Sequence, residues 1–139
     1  MNIFYVIVLL SFFLSKSSGF FPVIEVRIMN RRGNGRSIGI HCRSKDNDLQ
    51  NQTVTSGHDM SFSFREDFFH TTHFYCDLQW DKETKFGFYS YQAKRDDDGR
   101  CSSQCLWKIM DDGLYGFDQE HQIWQIYHLI KKERKEGRT

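Results

Sequence analysis

Four cysteines, Cys42, Cys76, Cys101 and Cys105, carry the most distinctive chemistry of this chain. An even number of thiols favours two disulfides in an oxidising compartment, and four cysteines can pair in three ways, among which the sequence does not choose. Zinc is the competing interpretation because Cys101 and Cys105 lie close together, but the other two thiols are isolated and the C-x3-C spacing is unusual for zinc. We therefore predict two disulfides, each stabilising the fold by about 2 to 4 kcal/mol.

Histidines offer two further candidate sites. His41 adjoins Cys42, which suggests a thiol–imidazole pair, but neighbouring residues of a strand point to opposite faces. His70 and His73 could bind a metal from one face of a helix. The alternation of apolar and polar residues after Thr72 predicts a strand instead, on which residues three apart diverge. We predict no catalytic residue, no metal and no cofactor.

Two acid-rich segments, Asp46-Asn47-Asp48 and Asp96-Asp97-Asp98, are candidates for calcium binding or for recognition of a partner. Neither continues into the twelve-residue calcium loop with its closing glutamate, so exposed turns are the better interpretation. Loops are free to vary, whereas strand faces are committed to the core. We therefore predict that the recognition residues lie in two loops, 46–55 and 95–100.

Aromatic residues allow one further binding hypothesis. Trp80, Trp107 and Trp124 could stack on a sugar if they were exposed together, but their places in the alternating pattern predict that they face the core. The sequence has no lipase elbow, P-loop or glycosidase pair of carboxylates. The remaining enzyme hypothesis is a secreted nuclease using two of the six histidines, and we predict that the protein is not an enzyme.

The N-terminal segment predicts export from the cell. Residues 3–14 are apolar except for two hydroxyls, which is too short for a membrane span but typical of a signal peptide. We predict cleavage after Gly19, leaving residues 20–139 as a single domain. The sequon Asn51-Gln52-Thr53 predicts N-glycosylation at Asn51. Without Lys16, 18 of the 19 basic residues remain against 18 acidic ones, so we expect no binding to nucleic acid and no membrane insertion.

The remaining chain consists of short runs in which apolar and polar residues alternate. The clearest runs are 60–64 and 74–80, and a period of two is the signature of a strand with one buried face. The polar segment 45–52 is predicted to be a loop, and the apolar segment 123–130 fits a strand or a helical turn equally well. These patterns predict an all-β fold: an antiparallel two-sheet β-sandwich of about seven to eight strands, stapled by disulfides.

Three segments carry a resemblance to a known family. Residues 41–49 read HCRSKDNDL, residues 72–80 read THFYCDLQW, and Arg95-Asp96 precedes CSSQCLWKI at 101–109. They are similar to the patterns HC-x-S-x-D-D-D-L, T-x-F-x-C-x-x-x-W and RD…C-x3-C-x-W-x-I of the plant self-incompatibility proteins, also called S-protein homologues. The resemblance covers roughly residues 26–124. Asn47 replaces the middle aspartate of the first pattern, and Gln50 stands where glycine often follows leucine.

The resemblance implies a secreted β-sandwich of about eight strands that acts outside the cell as a signalling ligand. In the founding role of the family, such proteins meet a receptor on pollen and trigger rejection of self pollen. We therefore expect a cell-surface receptor as the partner of an extracellular, monomeric protein. The alternative from another functional class is a secreted module that binds glycans or the cell wall.

Overall fold

The computed structural model describes residue 3 and residues 22–66, 71–97 and 99–132, so the predicted signal peptide lies almost wholly outside the described residues. The described part is built from strands and one helix of a single turn. In chain order these are β1 (Val23–Asn30), β2 (Ile38–Arg43), β3 (Asp48–Val54), β4 (Asp59–Arg65), β5 (His73–Gln79), β6 (Lys85–Gln92), α1 (Ala93–Asp96), β7 (Gln104–Met110), β8 (Gly113–Asp118), β9 (Ile123–Tyr127) and β10 (Ile130–Lys132). No helix among the described residues is long and apolar enough to cross a membrane.

The strands form two five-stranded sheets. The first sheet has the order β4-β1-β7-β8-β9, and the second has the order β10-β6-β5-β2-β3. The predicted all-β sandwich is confirmed, but its described residues form ten strands instead of seven or eight, and β1 pairs with β7 in parallel. The additional strands lie mainly at sheet edges, where pairing depends on the backbone and leaves little pattern in the side chains.

Alternating side chains from both sheets form one core. Ile24, Val26 and Ile28 of β1 are buried, as are the inward residues of β2, β5 and β7. Trp107 lies at its centre: its ring meets Phe88 at 5.0 Å between ring centroids, and its indole Nε1 donates to the Ser90 carbonyl at 2.8 Å. Burial of such a ring is stable because its one polar group is satisfied.

Both disulfides are formed, and the structure chooses their pairing. Cys42 of β2 and Cys76 of β5 lie opposite one another in the ladder and are bonded, whereas Cys101 is bonded to Cys105 at the start of β7. The zinc hypothesis is therefore wrong for these residues, since bonded sulfurs are not available as thiolate ligands. His41 and Cys42 point to opposite faces, as predicted: Cys42 is buried, while His41 bonds to the exposed Asp48.

Two predictions about individual segments need correction. Residues 48–54, predicted to lie in a loop, form the edge strand β3, whose polar side chains remain in solvent while its backbone pairs with β2. Trp124, predicted to face the core, is 38% exposed on β9, the opposite edge of the sandwich. Both errors arise because an edge strand does not need a continuous buried face.

Candidate interaction surface

The two segments predicted to carry recognition lie at the same end of the second sheet. Arg43, the last residue of β2, pairs with both Asp48 and Tyr75, and His73 at the start of β5 pairs with Gln92 at the end of β6. The turn before β3, the entry to β5 and the helix α1 are therefore neighbours. We call this surface the loop end and define it as residues 44–48, 71–73 and 93–97.

The first part of the loop end is a tight turn with exposed acidic groups. The Ser44 amide donates to the Asn47 carbonyl at 2.8 Å, and the Asn47 amide donates to the Ser44 hydroxyl at 3.2 Å. These bonds hold the turn and leave Asp46, Asn47 and Asp48 exposed. Asp48 itself is the first residue of β3, so it lies at a strand end and not within a loop.

Asp48 is fixed by two hydrogen bonds. Its Oδ1 accepts the Gln50 amide at 2.9 Å and lies 2.6 Å from His41 Nε2. The Gln50 amide first, and His41 second, hold the pKa of Asp48 below its usual value because both stabilise the carboxylate. Gln50 has a φ of 65°, in the left-handed region that favours glycine, at the position where the family pattern often has glycine.

A hollow of about 440 Å³ opens beside this turn, and a smaller one of about 230 Å³ adjoins it. Thr71, Thr72 and His73 line both hollows, so the two lie side by side at the loop end. Lys45, Asp46 and Arg65 also line the larger one. Exposed groups of both charges with hydrogen-bonding side chains suit polar contacts with another macromolecule.

The second acid-rich segment has a different environment from the predicted one. Asp96 is the last residue of α1 and is fully buried, so it does not present its carboxylate to a partner. Its Oδ1 accepts Arg95 Nε at 2.7 Å and Arg100 Nε at 2.6 Å, and its Oδ2 accepts the Gln92 amide at 2.8 Å. Asp97 is exposed beside it, and Asp98 lies outside the described residues.

The partner cations of Asp96 are themselves packed on aromatic rings. The Arg100 guanidinium lies 4.4 Å from the centroid of the Trp107 ring, and Arg95 lies 5.3 Å from the same ring. A buried carboxylate is tolerated when it is paired and fully hydrogen-bonded, and both conditions hold here. Asp96 is therefore a structural residue that supports the loop end from beneath.

The candidate metal ligands weighed from the sequence have the following surroundings in the described part of the chain. Asp96 lies near Cys101 and Cys105, but these sulfurs are bonded to each other. His73 is exposed, with its Nδ1 3.0 Å from the Thr71 carbonyl oxygen, and the other half of the proposed histidine pair, His70, lies outside the described residues.

The predicted glycosylation site lies on the edge strand next to the loop end. Asn51 pairs with His41 in the ladder and is exposed on the outer face of the second sheet. An exposed side chain on an edge strand leaves space for a glycan, and glycosylation of Asn51 stays a prediction.

The exposed surface of β9 was missed by the sequence analysis. Ile123, Trp124 and Ile126 are all exposed, and Trp124 contacts Phe117 of β8 at 5.1 Å between ring centroids. The sequence does contain a signal, because residues 123–127 are apolar on both faces of the strand. This pattern is common in covered central strands and unusual at a sheet edge.

Comparisons with known proteins identify the family. The model of plant self-incompatibility protein S1 matches residues 25–129. S-protein homolog 2 of Arabidopsis thaliana is 36% identical over 122 residues, covering 85% of this chain and 76% of the relative. S-protein homolog 5 of the same plant is 36% identical over 113 residues, covering 77% of this chain and 85% of the relative.

A solved structure supports the same fold. It is described as a self-incompatibility protein homologue, from a widespread family of small, highly stable, secreted plant proteins. It aligns with a TM-score of 0.60 at 19% identity and covers 83% of this chain and 97% of its own. The family model that matches residues 25–129, together with the sequence relatives, shows that this chain belongs to the plant self-incompatibility protein S1 family.

Proposed function

We propose that this protein is secreted and acts as a signalling ligand that binds a cell-surface receptor through the loop end. The observation that carries the proposal is the convergence of the turn 44–48, the entry to β5 and α1 around adjoining hollows. The family membership and the predicted signal peptide support export, since the solved relative is described as secreted. Disulfides support it further because they persist in oxidising compartments.

The rigidity of the loop end favours recognition. The Asp96 network and the Cys42–Cys76 disulfide hold the segments on either side of the hollows, so little conformational entropy is lost when a partner binds. The groups on the surface are charged or hydrogen-bonding and include Lys45, Asp46 and Lys94. Such groups supply orientation and specificity between proteins more than affinity. We also propose that the protein is not an enzyme.

The test is competition binding to intact plant cells, including pollen, with labelled protein purified from the medium of cells that express the full chain. One variant carries K45S, D46S, H73S and K94S, which removes exposed loop-end groups and leaves Asp96 in place. Its matched control carries K82S and E83S, two exposed changes in the turn at the other end of β5. Thermal unfolding verifies that both variants fold.

The wild type and the control are expected to show saturable binding that unlabelled protein competes, and the loop-end variant to bind at least about tenfold more weakly, a loss of about 1.4 kcal/mol. Unchanged binding by the loop-end variant would overturn the assignment of the surface. Absence of saturable binding on every cell type would overturn the receptor function itself.

Glycan binding is the second candidate, and one observation favours it. Trp124 is exposed on the outer face of the first sheet, beside Phe117 and under the ammonium of Lys108, which lies 4.3 Å from the Trp124 ring centroid. Exposed aromatic faces stack well on sugars. Saturable binding on a glycan array that W124A abolishes would support this function, and no binding by the wild type would remove it.

A further inference from the structure

Among the sheet edges of the described residues, β9 differs from the others in having no residue of its own that protects against pairing. A free edge presents unpaired backbone N–H and C=O groups, and proteins blunt such edges with charges, bulges or short length. β4 ends in Asp59 and Arg65, β3 begins with Asp48 and is bulged opposite β2, and β10 has three residues of which two are lysines. The five residues of β9 include no charge, no proline and no glycine.

The side chains of β9 are apolar on both faces of the strand. Trp124 and Ile126 lie on the outer face, opposite Phe117 and Tyr115 of β8, and they are 38% and 59% exposed. Ile123 points to the other face and is 47% exposed. Pairing with a further strand would therefore remove apolar surface from water on both sides at once.

The sequence of β9 is also complementary to itself. In an antiparallel pair centred on Gln125, Trp124 lies opposite Ile126 of the second copy, and Ile123 lies opposite Tyr127. Aromatic side chains paired with β-branched ones are favourable across antiparallel strands. The arrangement brings no two charges together, and only Gln125 meets its own counterpart, at the two-fold axis.

We propose that β9 pairs with β9 of a second copy of this chain, joining the two first sheets into one continuous ten-stranded sheet around a two-fold axis. Such an interface uses the same surface on both copies and closes on itself, so it ends at a dimer. We assign a second copy as the binding partner because β9 is apolar and uncharged, and a second β9 matches it in both respects.

The small contact area sets the strength of this dimer. Pairing of two five-residue strands buries less than the roughly 1,200 Å² of a standard interface, so the association is weak. The protein is then a monomer in dilute solution, as the sequence predicts. The dimer forms at concentrations of roughly 10 to 300 µM. The loop end is formed by segments at the strand ends of the other sheet, and none of its residues belongs to β9, the strand that pairs.

The test is sedimentation velocity over that concentration range with the secreted full chain and variants at the two-fold axis. Q125K and Q125E each place like charges opposite one another, so each is expected to dimerise more weakly than the wild type. Q52K makes the same substitution at an exposed position of the edge strand β3 and should dimerise as the wild type does. An equimolar mixture of Q125K and Q125E should recover the dimer, because opposite charges then meet.

Three results would overturn the proposal: a wild type that stays monomeric throughout, a dimer that Q125K leaves intact, or a mixture that fails to recover association. A monomeric wild type that instead binds a soluble, extended apolar peptide along β9 would also overturn it in favour of a different strand donor. None of these measurements involves a receptor, so the inference and the receptor function fail separately.

Discussion

The two acid-rich segments of this chain look alike in sequence, but Asp48 of the first and Asp96 of the second occupy opposite environments. Asp46 and Asn47 lie in an exposed turn, and Asp48 follows at the start of β3, where a backbone amide and a surface histidine hold it. Asp96 lies at the end of α1 with no exposed surface, between two arginines that pack on Trp107. Asp46 and Asp48 keep their charge at the surface, whereas the charge of Asp96 is paired within the protein.

The difference teaches that local composition does not reveal whether a carboxylate is exposed. Asp96 is buried because Arg100 reaches it from beyond α1, and because the Gln92 amide and Arg95 satisfy its remaining lone pairs. Asp48 meets a neighbouring strand at the sheet edge, where water completes its solvation. Three measurements test this contrast.

The largest expected effect comes from neutralising the buried carboxylate. D96N leaves Arg100 buried without its charge partner, so we expect the free energy of unfolding to fall by about 3 to 5 kcal/mol. D48N is the matched control, since it makes the same change in an exposed position. Urea unfolding of both variants gives the comparison. Equal losses, or a loss confined to D48N, would contradict the assignment of Asp96 as structural.

The disulfides beside the two segments are expected to differ as well. Cys42–Cys76 closes a chain separation of 34 residues, and Cys101–Cys105 closes one of 4. If the bridges act by restricting the unfolded chain, the first contributes about 4 kcal/mol and the second about 2 kcal/mol. Urea unfolding of C42A/C76A and of C101A/C105A measures the difference.

The result for the short bridge has a second use. Cys101 adjoins the Asp96 network, because its amide donates to the Asp96 carbonyl at 3.2 Å and its sulfur lies 3.3 Å from Arg100 Nη2. A loss for C101A/C105A that matches or exceeds that of C42A/C76A would show that this bridge acts mainly by holding the buried ion pair in place.

The smallest expected effect is a dependence on pH at the exposed segment. The pKa of Asp48 is lower in the folded protein than in the unfolded chain, where it is near 3.8. Its contribution to stability is therefore complete above the unfolded value and is lost as the pH falls through the folded one. The melting temperature of wild type should exceed that of D48N at pH 6, and the difference should shrink as the pH falls below 3.8. A difference that persists in acid would show that the carboxylate charge is not responsible.

Much of the fold was predictable because its signal is local. The alternation in residues 60–64 and 74–80 placed Met60, Phe74 and Leu78 on inward faces, and all three are buried. The same reasoning failed for residues 48–54. Their polar side chains predict a loop, but their backbone pairs with β2, and this pairing needs no apolar face. The terminal apolar segment was ambiguous, and its strands became definite only through pairing with β8 and β6.

The sequence by itself determined the all-β class, the inward faces of the central strands and the family, because alternation and motif spacing are properties of neighbouring residues. Tertiary structure alone decided which cysteines pair, that Asp96 is buried while Asp48 is not, and that β9 lies at a sheet edge. These outcomes depend on residues far apart in the chain. The burial of a charge, or the freedom of a sheet edge, is set by the groups that the fold brings beside it.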